Sequence, residues 1–265
     1  MTTDTTSRLI ALSESLRTLS EGQITWVEQV VAAFALNHKF VAGAPESDLV
    51  SPKLLQDFGD TLRIHHCFSR EPFTKDKFEY ALERLALQCD LDAKLAPKGN
   101  PGHDITIDGQ RFSLKTQGDK NLKPEKLHIS KFMELGRGSW TDKAGDLVGL
   151  RDQFFTHMSS YDRILQLRGW RPKRETGWVY ELVEIPKALM QEAGNGALSM
   201  RSTSRQMPKP GYCDVFDSVG RTKFQLYFDG GTERKLQIKN LDKALCIVHA
   251  TWAFEPPPVC EPPLA

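Results

Sequence analysis

The chain is 265 residues long, with 35 lysines and arginines against 34 acidic residues, and a net charge of +1 offers no overall basicity to announce a nucleic-acid partner, although a locally basic cleft would serve a DNA enzyme. Its 40% apolar and 26% charged residues suit a soluble globular protein of one or two domains; no apolar run approaches about 18 residues and no secretory segment is visible, so no membrane contact is expected and the cytoplasm is the expected compartment. Five scattered cysteines (Cys67, Cys89, Cys213, Cys246 and Cys260), none in a Cys-x-x-Cys pair, argue against structural zinc and against a disulfide framework.

Met1 to Thr6 is polar. Leu9, Leu12, Leu16 and Leu19 recur at helical spacing from Ser7 to about Leu19, and Thr25 to Leu36 is a second amphipathic stretch. Ala42 to Val50 reads as a loop. Ser51-Pro52 then supplies an N-cap and first position for a third helix that ends near Phe68. Residues 1–73 thus form a helical N-terminal region without a chemical motif, and packing is the expected role of its apolar side chains.

From Thr74 a capped helix is predicted to about Gln88, with Phe78, Ala81, Leu82 and Leu85 as its buried stripe. Glu79 and Glu83 lie one turn apart on its flank. Asp92 to Ala96 reads as a short strand, and Pro97 to Gly102 as a turn. A lysine-rich loop (Lys120, Lys123, Lys126) leads to a predicted helix from about His128 to Leu135. Leu147 to Leu167 reads as one long amphipathic helix, and Trp178 to Ile185 as a strand. Beyond a basic, proline-bounded segment, Met200 to Pro210, the pattern turns to β at Cys213–Phe216, Lys223–Phe228, Lys235–Lys239 and Cys246–Phe254. The expected division is a central unit at 74–190, a β-rich region at 191–254 and a proline-rich tail at 255–265.

The stretch from Gly102 to Gln117 carries the chemistry. It reads as two strands joined by Asp108-Gly109, a dipeptide suited to the positive φ angles of a tight hairpin turn. Side chains alternate across a strand, so Ser113, Lys115 and Gln117 share one face and Leu114 and Thr116 the other. Asp104 opens the partner strand and reaches the first of these faces. A carboxylate, a lysine and an amide then converge on one side of a β-ribbon.

Taken in order, the Glu79 helix, a strand, Asp104, Ser113-Leu114-Lys115, a helix and a strand resemble the PD-(D/E)XK nuclease core over roughly Thr74 to Ile185. Gly-His-Asp-Ile and Ser-Leu-Lys-Thr are similar to the forms found in type II restriction endonucleases and in the mismatch-repair nicking enzyme. The resemblance implies an α/β fold with an α-β-β-β-α-β core, a mixed sheet flanked by helices, to which the helical start and β-rich end are additions. It further implies Mg²⁺-dependent hydrolysis of double-stranded DNA, 5′-phosphate ends and a homodimer cutting both strands of a palindrome.

Within that resemblance Asp104 is the central metal ligand, helped by the Leu114 carbonyl and by Glu79. Lys115 orients and helps deprotonate the attacking water, and Gln117 steadies the lysine or the water. The family usually has an acid where this chain has Ser113. Some members with Ser there recover a carboxylate from the following helix, where Glu134 is the candidate, with Glu125 in the preceding loop a weaker one. Alternatively Glu79 or Glu83 suffices, or the site is degenerate. A second copy of the spacing, Asp229 with Gln237 and Lys239, lacks the preceding Glu-bearing helix.

For DNA contact, Lys120, Lys123 and Lys126 are candidate phosphate clamps, together with Arg163, Arg168, Arg171, Lys173 and Arg174. Arg201, Arg205, Gln206 and Lys209 are candidates for reading bases, because Arg pairs with guanine and Gln with adenine. His65-His66 reads as helix-end polarity, since no His-x-x-x-His spacing accompanies it. Three activities are carried forward: a sequence-specific endonuclease, a monomeric repair or nicking nuclease, and a DNA-binding module on a dead nuclease scaffold.

Overall fold

The computed structural model describes residues 4–43, 47–100, 102–118, 122–136, 140–173 and 177–257. Helices α1 (Thr5–Leu16) and α2 (Glu21–Ala35) begin at Asp4 and Ser20, and Ser20 with Gln23 forms a reciprocal capping box. Strand β1 (His38–Ala42) follows, in a stretch without a predicted element. Helix α3 (Pro52–Phe68) opens as expected: the Ser51 hydroxyl accepts the Leu54 N–H at 3.1 Å, and Pro52 sits where no N–H is needed. Helix α4 (Lys75–Gln88) buries Phe78, Leu82, Leu85 and Ala86, although Thr74 makes no side-chain cap bond.

Next come β2 (Ala93–Leu95), β3 (Ile105–Ile107) and β4 (Gln110–Gln117). Asp108 and Gly109 take φ of 46° and 77°, the paired positive angles that the hairpin requires. The chain continues through β5 (Lys126–Glu134), α5 (Asp146–Met158), β6 (Arg163–Trp170), β7 (Trp178–Glu184) and α6 (Lys187–Gln191). It ends in β8 (Ala197–Met200), β9 (Gly211–Phe216), β10 (Thr222–Asp229), β11 (Lys235–Asp242) and β12 (Ile247–Phe254).

These strands make two sheets, a seven-stranded one ordered β1-β12-β7-β6-β4-β3-β2 and a five-stranded one ordered β5-β11-β10-β9-β8. The first is mixed: β4 and β6 run parallel, with Phe112 opposite Arg163, while its other pairs are antiparallel. One apolar core packs α3 and α4 (Leu54, Phe58, Phe78, Leu82) against Leu114, Leu165, Leu167 and Trp252 of this sheet. The other joins its opposite face to α5 and the five-stranded sheet, through Ile164, Val183, Phe132, Phe154, Phe224 and Ile238. The first sheet is therefore covered on both faces, and its central polar residues are buried with it.

Several expectations are corrected. The helix predicted from His128 to Leu135 is strand β5, whose Leu127 and Ile129 alternate into the core and whose backbone pairs with β11. Pairing along nine residues outweighs a short run with helical spacing. The long helix predicted to Leu167 stops at Met158, and Arg163 begins β6. There Asp162 accepts the Arg111 backbone N–H at 2.8 Å and its guanidinium at 3.0 and 3.2 Å, which holds β6 in parallel register with β4. Helix α1 does not join a core: it buries no residue fully, Leu9, Ile10 and Leu12 are exposed, and Leu16 is half-buried.

The sequence segments also interleave. Strand β1 from the N-terminal region and β12 from the β-rich region complete the seven-stranded sheet, while β5 from the central unit joins the five-stranded one. No described helix is long and apolar enough to cross a membrane. The described cysteines, Cys67, Cys89, Cys213 and Cys246, are free, and most of the proline-rich tail lies outside the described residues.

Candidate active site

Asp104 stands at the entrance of β3, fixed by its own N–H donating to the Phe112 carbonyl at 2.8 Å. Its Oδ2 accepts the Leu114 N–H at 2.6 Å and the Ser113 hydroxyl at 3.4 Å. Its Oδ1 accepts Lys75 Nζ at 2.8 Å. That ammonium also lies 3.1 Å from Glu79 Oε1, one turn along α4. One cation is thus held between two carboxylates, one from the helix and one from the hairpin.

Lys115 completes the group. It is buried, its Nζ donates to the Ser113 hydroxyl at 3.0 Å, and it stands 5.5 Å from the centroid of the Phe132 ring. Loss of hydration pushes its pKa down to about 8, against the pull of the nearby Asp104 charge. Ser113 therefore bridges the carboxylate and the lysine, and the predicted shared face of Ser113, Lys115 and Gln117 is what brings them together. The Leu114 carbonyl points to the same strand edge as its N–H, hence toward Asp104.

These donors fit a small hard cation: two carboxylates and a backbone carbonyl, all oxygen, at a place where a positive charge already sits. Among the described residues no group of three or more His, Cys, Asp or Glu side chains could hold a metal, so substrate and water oxygens would complete the coordination. An open cavity of about 450 Å³ beside the group is lined by Lys75, Glu79, Tyr80, Lys98, His103 and Asp104.

The other expected residues fall elsewhere. Glu83 Oε1 accepts the Leu95 N–H at 2.8 Å and so anchors β2. The Gln117 side-chain oxygen accepts the His128 N–H and Arg168 Nε, both at 3.3 Å, and so ties β5 to β4. Glu134 closes β5, exposed and paired with Lys131 at 2.8 Å; the helix that was to carry it to Asp104 does not form. It lines a larger cavity, about 940 Å³, together with Gln206, Gly231 and Arg234, and Asp104 is not in that wall. Glu125 is exposed on the loop before β5.

The second copy of the motif lies on the β10–β11 ladder of the five-stranded sheet. Asp229 pairs with Lys235 and Lys239 with Gln225, four residues apart on the ladder, or about 13 Å along a strand. Asp229 accepts Gln237 at 3.0 Å, and Lys239 Nζ sits 3.5 Å over the Tyr227 ring centroid.

Two of the expected phosphate clamps are corrected. Arg168 is fully buried, paired with Glu181 at 2.9 Å and donating to the carbonyls of Lys123, Pro124 and Lys126. Arg163 binds Asp48 and Glu184. Arg168 instead shapes the basic loop from within, leaving the Lys123 side chain exposed, while Lys126 pairs with Asp242 at 3.1 Å. Lys120 and Arg174 lie outside the described residues. Arg171 lies over the Trp178 ring at 5.1 Å. Arg201, Arg205 and Gln206 are exposed, whereas Lys209 donates to the Ser204 carbonyl at 2.7 Å. His66 is not helix-end polarity but a buried ring bonded to the Tyr180 hydroxyl at 2.8 Å.

Sequence reading missed Lys75 and Phe132. The i,i+4 spacing of Lys75 and Glu79 was the available signal for the first; nothing local marked the second.

Residues 12–254 match the family model for SmaI, a type II site-specific deoxyribonuclease. The chain is 44% identical over 212 residues to the type II restriction enzyme SmaI of Serratia marcescens, covering 80% of this chain and 83% of that one. No solved structure matches significantly.

Proposed function

Because the chain belongs to the SmaI family of type II site-specific deoxyribonucleases and is a restriction endonuclease, we propose that Asp104, Glu79 and Lys115 form its cutting centre. The observation that carries this reading is the Lys75 ammonium held between Asp104 and Glu79, next to a buried lysine of lowered pKa. Two acids that hold a cation beside a weakly basic amine are what phosphodiester hydrolysis needs. The order α4, β2-β3-β4, α5, β6 supports the PD-(D/E)XK reading, with β5 as an addition between β4 and α5.

Asp104, Glu79 and the Leu114 carbonyl would hold Mg²⁺, which supplies charge neutralisation at the phosphate and acidity to a neighbouring water. The chain's own residues do the rest. Lys115 takes a proton from the attacking water as the free amine, and in its ammonium form faces the phosphate. Ser113 aims the lysine and holds Asp104, standing where a family acid usually stands. Hydrolysis leaves a 5′-phosphate and a 3′-hydroxyl.

Exposed Lys123 with Lys120 would grip phosphates, and Arg201, Arg205 and Gln206 would face base edges. Gln206 lining the cavity beside Gly231 supports a groove there. Among the described residues there is one such centre, so cutting two strands would be the work of a homodimer. An enzyme that cuts DNA would act in the cytoplasm, where thiols such as those of the described Cys67, Cys89, Cys213 and Cys246 stay reduced. Incubating the protein with plasmid and Mg²⁺ tests the whole reading. Discrete bands from double-strand cuts are expected, whereas a nicked circle would point to a monomeric nickase. A shift without cutting, or cutting without added metal after chelation, would overturn it.

A further inference from the structure

Helices α1 and α2 carry two apolar stripes that the fold leaves open. Leu9, Leu12, Leu16 and Leu19 stand on α1 and the turn after it, and Ile24, Val27, Val31 and Phe34 on α2. Both sets are spaced three, four and three residues apart, so each lines one side of a helix. Leu9 and Leu12 are 60% and 54% exposed, and Ile24, Val31 and Phe34 are 38%, 61% and 43% exposed. Neither stripe therefore covers the other within one chain. Helix α2 meets the body of the protein through a different side, where Ala33 is buried and its carbonyl accepts Arg63 Nη2 at 2.6 Å.

A twelve-residue helix that buries no residue is marginal in water, because helices shorter than about 12–15 residues owe their stability to packing. With Ile10 and Trp26 beside the stripes, the exposed apolar surface amounts to several hundred Å². That matches the largest patch of an ordinary monomer, about 300–600 Å², and approaches the roughly 800 Å² that each partner gives to a stable interface. The charges suit a second copy of the same chain. At the positions flanking the stripes the charged side chains are Arg8 on α1 and Glu28 on α2, of opposite sign. Laying α1 of one copy along α2 of another thus brings no like charges together. Two-fold symmetry makes the same contact twice.

We propose that α1 and α2 form the dimer interface of the enzyme: the leucine stripe of α1 in one copy packs on the Ile24–Phe34 stripe of α2 in a second copy, and reciprocally. This rests on the reading of a homodimer in which each copy brings one cutting centre. The pair gives α1 the packing that it lacks alone, and it takes both stripes out of water. It also joins two Asp104 centres into one particle, as cutting both strands of a duplex requires.

Light scattering during size-exclusion chromatography of the full chain, over a range of concentrations, reads the association. The native protein should be a dimer. Leu12→Glu and Val31→Lys should each weaken it by roughly a hundredfold or more, because an unpaired charge would enter the interface. Both positions are exposed helix positions in the single chain, so folding should survive, which circular dichroism checks. Should Leu12→Glu fail to fold, Leu9→Glu takes its place. The double variant Leu12→Glu, Val31→Lys should dimerise again, since the two charges then meet across the interface. On plasmid with Mg²⁺ the single variants should nick before they linearise. A monomeric native protein overturns the proposal, and so do single variants that remain dimeric. Monomeric single variants without rescue in the double variant overturn the pairing of α1 with α2. Lys115→Met keeps the two failures apart, as it should dimerise normally and fail to cut. If it cuts at the full rate the reading of the centre falls, while light scattering still decides the interface.

Discussion

Lys75 Nζ lies 2.8 Å from Asp104 Oδ1, joining the first turn of α4 to the mouth of the hairpin 29 residues away. The ammonium stands where the two carboxylates would hold a divalent cation, so the lysine must leave when the metal arrives. Lys75→Met is expected to bind Mg²⁺ or Ca²⁺ roughly tenfold more tightly, because a competing charge in a partly exposed site is gone. Titration calorimetry of the DNA-free protein measures this, and unchanged or weaker affinity would show that Lys75 is no competitor.

Asp104→Asn and Lys115→Met should each lower single-turnover cleavage by roughly a hundredfold or more, the range for loss of a general base or of charge stabilisation. The amide retains an acceptor for the Leu114 N–H, and methionine fills the space of a buried lysine, so folding should survive. Asp229→Asn and Lys239→Met, on the second copy of the motif, should cut at nearly the normal rate. Normal cleavage by either of the first pair sinks the assignment.

The missing strand acid has a testable replacement. Glu79→Gln should reduce cleavage and weaken Mg²⁺ binding together, because Glu79 shares a cation with Asp104. Glu134→Ala should be mild, since that carboxylate faces Lys131 at the far end of β5. Rates measured over a series of Mg²⁺ concentrations separate the two. An inactive Glu134→Ala with an active Glu79→Gln would reverse their roles.

The pH profile follows from Lys115. Burial depresses its pKa to about 8, and the free amine is the form that accepts a proton from water. Cleavage should therefore rise about tenfold per pH unit below that value and level off above it. In Lys115→Met any residual activity should lose this slope. A flat profile between pH 6.5 and 8, roughly the ordinary laboratory range, would remove the lysine from the proton transfer.

His66 should make the fold acid-sensitive. Burial holds its ring neutral until about pH 3, whereas in the unfolded chain it binds a proton near pH 6.5. The unfolded state thus takes up more protons as pH falls between these values, and stability is full above the upper one and drains away toward the lower. At pH 5 the loss from this group is about 2 kcal/mol. Denaturant titrations at pH 7 and pH 5 should show that difference in the native protein and much less of it in His66→Gln. An equal acid effect in both would clear the histidine.

How much of this was legible beforehand depends on the range of the forces. The Asp108-Gly109 turn, the Ser51-Pro52 helix start and the common face of Ser113 and Lys115 follow from backbone sterics and the two-residue period of a strand. Those act over a few residues, and the sequence by itself determined them, Asp104 included. The strand β5, the end of α5 and the burial of Arg168 came only with the tertiary structure, because each depends on a partner far along the chain. Whether Lys131-Phe132-Met133-Glu134 coils or extends is settled by the open edge of β11, not by its own side-chain pattern. Lys75 meets Asp104, and Phe132 meets both Lys115 and His157, only because packing against the mixed sheet closes those distances.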